Sequence, residues 1–225
     1  MKWNKQYNYP PCVRSTTDGL RTYDIGNEKL PSVTTILSAT QSPEKMESIK
    51  RWKERVGEEQ ATRVKNEAAS RGTNMHKHLE KYILGEGHAD LTEEGKLAKK
   101  MSDTIIEEGL KDMSEIWGSE VTLHYPKLYA GQTDLVGTYD YEDSIVDFKQ
   151  SNKLKRREWI EDYFMQLGAY AMAHNQVYKS EITQGVVLMC TPDMQFQKFQ
   201  VKGQEFINYQ HKFLAKVDQY YKIKG

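Results

Sequence analysis

The sequence predicts an α/β or α+β domain, with helices packed around a small mixed β-sheet. Three observations carry this reading. Two long segments with helical spacing come first, from 43 to about 84 and from 92 to about 117. Three segments rich in Val, Ile, Thr and Tyr follow, at 120–125, 128–139 and 144–150, with Gly and Asp at the turns. A helix at 159–178, strands at 182–190 and 195–201, and a helix at 204–221 complete the order α-α-β-β-β-α-β-β-α.

Taken in order, residues 1–31 are rich in Tyr, Pro, Gly and Asn and hold one strand-like stretch at 20–25. Ser42-Pro43-Glu44 is a helix start, with Ser as the cap, Pro at the first helical position and an acid in the first turn. Within the first helical region, Met75, Leu79, Tyr82 and Ile83 form an apolar stripe. Gly72 and His76 lie along its edge, which turns His76 toward the sheet and His78 elsewhere. In the helix at 159–178, Ile160, Phe164, Leu167 and Ala171 form a core stripe beside a second one of Trp159, Tyr163, Gln166 and Tyr170. No repeat or low-complexity linker divides the chain. The expected organisation is a single domain over 1–225, with a helical region at 43–117 covering a site built on a sheet core at 118–225.

Composition narrows the function classes. The 225 residues carry 32 basic and 32 acidic side chains. Apolar content is 38%, and the mean hydropathy of −0.78 implies a modest core with a large polar surface. A uniformly basic, histone-like protein is excluded, but a basic groove offset by acidic outer helices is not. Cys12 and Cys190 are too few for a four-cysteine zinc or iron–sulfur site and suggest free thiols in a reducing compartment. No apolar run reaches membrane-spanning length, and the N-terminus resembles neither a signal nor a transit peptide, so a cytoplasmic location is expected.

The chemistry concentrates at 128–150. A turn centred between Asp140 and Tyr141 sets Asp134 directly across from Asp147, with Lys149 on the same face two residues on. Two opposed carboxylates repel unless compensated, and a divalent cation, which prefers carboxylate oxygens, compensates them. Ile145-Val146-Asp147-Phe148-Lys149 embeds these charges in an apolar strand, where an unpaired carboxylate is costly. A cross-strand Asp–Lys ion pair on a solvated face explains the same spacing equally well. Nearby, Lys153, Lys155, Arg156 and Arg157 run without an acid and suit either a solvated loop or a polyanion.

Four stretches in this order, Arg71-Gly72-x3-His76, Gly131-x2-Asp134, Asp147-Phe148-Lys149 and Gln166-x3-Tyr170, resemble the PD-(D/E)XK nuclease superfamily in its RecB-like branch. Within it, the chain looks most like the mitochondrial genome maintenance exonucleases and their bacterial and phage relatives. Leu30-Pro31-Ser32-Val33-Thr34 and Lys50-Arg51-Trp52-Lys53 are similar too, and the likeness spans roughly 30–175. Asp147 stands where many members have Glu. The cysteines of the iron–sulfur members are absent, so no such cluster is expected.

The resemblance implies a restriction-endonuclease-like core with an N-terminal helical arch. It further implies a metal-dependent deoxyribonuclease that hydrolyses phosphodiesters from the ends of single-stranded DNA, in replication, repair or recombination. Asp134, Asp147 and the Phe148 carbonyl would hold one or two Mg²⁺ or Mn²⁺ ions, with His76 as a further ligand. Lys149 would orient or help deprotonate the attacking water. Gln166 and Tyr170 would brace the site and touch the nucleic acid, with Arg71, Lys153, Lys155, Arg156 and Trp52 as further contacts. Glu120 is a weaker candidate acid. The alternatives are a structure-selective endonuclease of the same fold and a non-catalytic nucleic-acid-binding module. The absence of a transit peptide points to a bacterial or phage protein. Protein partners are not indicated.

Overall fold

The structure is a computed structural model that describes residues 1–17 and 19–225. The opening segment, which lacks long apolar runs, makes only short strands: β1 (Lys2–Trp3), β2 (Val13–Thr17), β3 (Leu20–Ile25) and β4 (Glu28–Pro31). Strands β2, β3 and β4 form an antiparallel sheet of their own. A short helix that the sequence reading missed, α1 (Val33–Ala39), follows, and Ser32 Oγ caps it by accepting the Thr35 N–H at 2.9 Å.

Ser42 caps α2 (Pro43–Val56) as expected, its hydroxyl accepting the Lys45 N–H. Gly57 breaks the helical run, its φ of 86° lying in the left-handed region that glycine tolerates. The chain resumes as α3 (Glu58–Ile83), whose second half buries Met75, Leu79 and Ile83. Tyr82, placed on that stripe by the sequence reading, is instead exposed. Helix α2 buries no residue; Lys45 ties its start to Asp162 at the head of the helix described below.

Thr92 caps α4 (Glu93–Glu108), accepting the Gly95 N–H at 3.0 Å. This helix stops at Gly109, not near Trp117, and the difference has a packing cause. A Cβ at position 109 would press on the Ile105 carbonyl and on Leu188, and the chain turns there into β5 (Met113–Tyr125). Irregularities at Met113/Glu115 and Ile116/Gly118 bury Ile116, Trp117 and Gly118 in succession, which hides the period-2 strand signal.

Strands β6 (Tyr129–Tyr139) and β7 (Glu142–Gln150) form the expected hairpin, with Asp140 and Tyr141 both at positive φ in its turn. After α5 (Glu161–Tyr178) come β8 (Gln184–Cys190), β9 (Phe196–Lys202) and α6 (Gly203–Lys224). The large sheet runs β1-β5-β6-β7-β8-β9, with β1/β5 and β7/β8 parallel and its other pairs antiparallel. The result is a central mixed sheet flanked by helices.

Alternation along the strands divides the core between the two faces of this sheet. Leu135, Val146, Phe148, Val186 and Leu188 pack with Met75, Leu79, Met101 and Ile105 of α3 and α4. Val136, Ile145, Val187 and Met189 pack with Ile36, Phe164, Leu167, Phe206 and Phe213 of α1, α5 and α6. Each such side chain contributes roughly 1.5–3 kcal/mol on burial. Among the described residues, no helix is long and apolar enough to cross a membrane.

Candidate active site

The β6–β7 ladder holds its register up to the pair Leu135–Val146 and then opens. The next row would pair Asp134 with Asp147, as the turn position predicted. In its place the Asp134 carboxylate accepts the Phe148 backbone N–H at 2.6 Å through Oδ2. On the other side of β6, Ser119–Leu135 and Val121–Thr133 bracket Asp134, so Glu120 of β5 falls in register across from it. Glu120 takes a φ of 52°, which breaks the ladder at that rung. Three acids on three adjacent strands, Glu120, Asp134 and Asp147, therefore occupy one row across the sheet.

His76 of α3 reaches this row. Its Nε2 lies 2.9 Å from the Phe148 carbonyl oxygen, which can only accept, so Nε2 carries a proton. Its Nδ1 then faces Asp134 Oδ1 at 3.3 Å and Glu120 Oε1 at 4.0 Å. Donor atoms of His76, Glu120 and Asp134 all lie within 4.8 Å of one another, a nitrogen-and-oxygen set that suits a hard or borderline divalent cation. Helix α3 comes close enough for this because Gly72 packs its Cα against Gln150, where a Cβ would stand 3.3 Å from Gln150 Cγ. Arg71 adds hydrogen bonds to Gln150 and Asn152 at the end of β7.

Lys149 completes the group, its Nζ 2.5 Å from Asp147 Oδ2 and 5.0 Å from the centre of the Tyr163 ring. Asp147 Oδ2 is buried, with the Lys149 ammonium as its counter-charge. The donor set of His76, Glu120 and Asp134 fits a divalent metal.

The electrostatics follow from burial and crowding. Burial pushes the Asp147 carboxyl up to about 6, helped by the charge of Asp134 and opposed by Lys149. Burial likewise raises Glu120. At Asp134 burial acts upward, but His76, Lys149 and the Phe148 N–H outweigh it and hold the carboxyl low. Burial disfavours a cation at His76, yet Asp134 and Glu120 overcome it and push the imidazole up to about 10. A proton on Nδ1 thus stands where a cation would otherwise neutralise the acids.

Helix α5 supplies the opposite wall. Gln166 Nε2 donates to the Tyr170 hydroxyl at 3.1 Å, and both are buried at the cleft. Gly131 makes room for this tyrosine, since a Cβ there would lie 2.6 Å from Tyr170 Cε1. The cleft, of about 550 Å³, is lined by these residues with Thr34, Gln132, Lys77, Glu80 and two arginines, Arg14 and Arg21, from the small sheet. The sequence reading did not single out Gln132, Arg14 or Arg21, because a separate short sheet gives no local sign of where it docks.

The remaining candidates lie outside the cleft. Trp52 sits on α2, and Lys153 and Lys155 line other hollows of the surface. Arg156 stacks over the exposed Trp159 ring, 5.2 Å from its centre.

No family model matches the chain. Mitochondrial genome maintenance exonuclease 1 from Xenopus tropicalis is 27% identical over 212 residues, covering 89% of this chain and 60% of that protein. The human protein of the same name is 27% identical over 174 residues, covering 73% and 50%. The chain is thus similar, at 27% identity, to mitochondrial genome maintenance exonucleases. It spans about half to three-fifths of the length of these relatives. Among solved structures, an exonuclease candidate from Eubacterium rectale superposes with a TM-score of 0.48 at 15% identity, covering 66% of this chain and 64% of that one.

Proposed function

We propose that this chain is a metal-dependent deoxyribonuclease of the PD-(D/E)XK type that removes nucleotides from the ends of single-stranded DNA. The observation that carries the reading is the row Glu120–Asp134–Asp147 with His76 at one side and Lys149 at the other. The relatives' names, which specify an exonuclease, support it.

Glu120, Asp134 and Asp147 would hold Mg²⁺ or Mn²⁺, with His76 through Nδ1 and the Phe148 carbonyl through its second lone pair. When bound, the ion supplies charge for the phosphoryl oxygens and makes water a nucleophile near neutral pH. Lys149 Nζ, beside Asp147 and over Tyr163, orients that water and stabilises charge building on the phosphate. Gln166 and Tyr170 brace the wall against which the strand lies. Arg71, Arg14 and Arg21 meet backbone phosphates near the cleft. Lys153, Lys155, Arg156 and Trp52, outside the cleft, are proposed as further contacts to the strand. Helix α2 with the exposed first half of α3 is the proposed arch that restricts entry to an end. The whole is proposed to act as one nuclease domain in DNA replication, repair or recombination, in a bacterial or phage-infected cytoplasm.

The test is cleavage of a labelled oligonucleotide by Asp147→Ala and Lys149→Ala chains whose circular dichroism matches the parent. The proposal expects no cleavage from either variant. Parent-like activity in either would remove the site assignment, and tight Mg²⁺-dependent DNA retention by a parent that never cleaves would favour a binding module.

A further inference from the structure

Two arginines of the small sheet meet at the cleft without a counter-charge. In the β2–β3 ladder Arg14 pairs with Tyr23 and Thr16 with Arg21, so these four side chains share one face. Arg14 and Arg21 are diagonal neighbours there, close enough for long side chains to meet. Both line the cleft that holds Asp134, Asp147 and Lys149. Burial pushes the Tyr23 phenol up, and the charges of Arg21 and Arg14, both beside its hydroxyl, oppose the rise. Among the described residues no carboxylate lies within ion-pair distance of either guanidinium.

Both arms are anchored. The Arg21 N–H donates to Thr35 Oγ1 at 3.1 Å, and its carbonyl accepts the Thr35 hydroxyl at 3.0 Å and the Ser32 N–H at 2.9 Å. Arg14 Nη1 donates to the Gln132 amide oxygen at 3.3 Å, and Gln132 is itself tied to Glu120. A guanidinium carries several N–H donors, so each arm keeps donors for a ligand after these contacts. Two like charges held together repel, and an anion between them removes the cost, as a cation does for the row of acids.

We infer that Arg14 and Arg21 close together on a single phosphate of the bound strand, and that this contact sets which bond is presented to Asp147 and Lys149. A phosphate suits the pair because its oxygens, spread over a tetrahedron, accept from two guanidiniums at once. The inference rests on the reading of the cleft as a nuclease site and deepens it. The two arginines act on one phosphate and not as separate backbone contacts, and the small sheet that carries them fixes the register of the strand.

The test walks one neutral methylphosphonate along the shortest oligothymidylate that the parent binds. Binding is read by fluorescence anisotropy in EDTA, so the readout does not depend on cleavage. The neutral group should weaken binding by about three- to tenfold at one particular linkage. Arg14→Gln and Arg21→Gln should each abolish the penalty at that same linkage. The double variant should shallow the slope of log affinity against log salt by about 0.7, the single-strand value for one phosphate, where two separate contacts would give about 1.4. In Mg²⁺ both variants should spread the first cut of a labelled strand over more linkages than the parent. Should a glutamine variant fail to fold, Arg14→Lys or Arg21→Lys, which keeps the charge and loses the planar donor set, should reduce the same penalty. Penalties at two linkages, each abolished by one variant alone, a penalty that neither variant alters, or a parent-like cutting pattern in both variants would overturn the inference. A parent that shows the binding pattern and never cleaves would count against the nuclease reading and not against the shared phosphate.

Discussion

The Asp134 carboxylate accepts the Phe148 backbone N–H at 2.6 Å, in the place where the next rung of the β6–β7 ladder would close. One side chain thus opens the sheet and satisfies the backbone group it frees, while its other oxygen faces His76. These two tasks separate in mutants. Asp134→Asn keeps an acceptor for Phe148, so its unfolding free energy should stay within about 1 kcal/mol of the parent. Asp134→Ala leaves a buried N–H unpaired and should lose roughly 1–3 kcal/mol in urea denaturation. Both should lose cleavage, and equal stability of the two variants would contradict this division of labour.

Glu120 is held from two sides, by His76 and by Gln132, whose Nε2 donates to Glu120 Oε2 at 2.6 Å. Arg14 in turn donates to the Gln132 amide oxygen at 3.3 Å. If Glu120 is a metal ligand, Glu120→Gln should weaken Mn²⁺ binding substantially. Gln132→Ala should do so by about 10-fold or more, through loss of orientation alone. Calorimetric Mn²⁺ titration of the folded variants checks both, and parent-like affinity in Glu120→Gln would remove Glu120 from the ligand set.

Asp147 makes stability and function pull in opposite directions. Its carboxyl is pushed up to about 6 by burial, so the folded state prefers the protonated form. As pH rises from the ordinary carboxylate range through 6, the unfolded chain ionises first and the fold loses stability. Asp147→Asn should therefore stabilise the protein in EDTA at pH 8, by on the order of 1–3 kcal/mol, and confer no gain at pH 3–4. Thermal melts at the two pH values read this directly. A variant less stable than the parent at pH 8 would show that Lys149 compensates the charge fully.

Much of this arrangement was legible in the sequence. The helix starts at Ser42 and Thr92 were readable because caps are local hydrogen bonds between near neighbours. The hairpin register was readable because Asp140 and Tyr141 mark the turn. That register brought Asp134, Asp147 and Lys149 to one place. The end of α4 was not readable, because Ile105, Met113 and Trp117 keep an approximate helical spacing into an irregular strand, and the crowding by Leu188 that leaves no room for a Cβ at 109 is a tertiary contact. Glu120 stood only as a weaker candidate acid because its place opposite Asp134 depends on a bulged register and a left-handed backbone. Arg14 and Arg21 reach the cleft through the docking of a separate sheet, which no local pattern reports.

Gly131 is tied to Tyr170 by space alone. A methyl group at 131 would press into a buried ring whose hydroxyl is already engaged by Gln166. Gly131→Ala should cost roughly 1–3 kcal/mol and displace the tyrosine wall. Its kcat/KM on single-stranded DNA should fall, with partial recovery in Gly131→Ala/Tyr170→Phe only if the hydroxyl rather than the ring is the obstacle. Unchanged stability and activity in Gly131→Ala would show that α5 yields freely.

Hydrolysis at the proposed metal site needs a free DNA end. The most direct measurement incubates the protein with end-labelled linear and with circular single-stranded DNA, in Mg²⁺, in Mn²⁺ and in EDTA. Shortening of the linear substrate alone, abolished by EDTA and absent with Lys149→Ala, is the predicted result. Cutting of the circle would contradict the need for an end, and undiminished cleavage in EDTA would contradict the metal site itself.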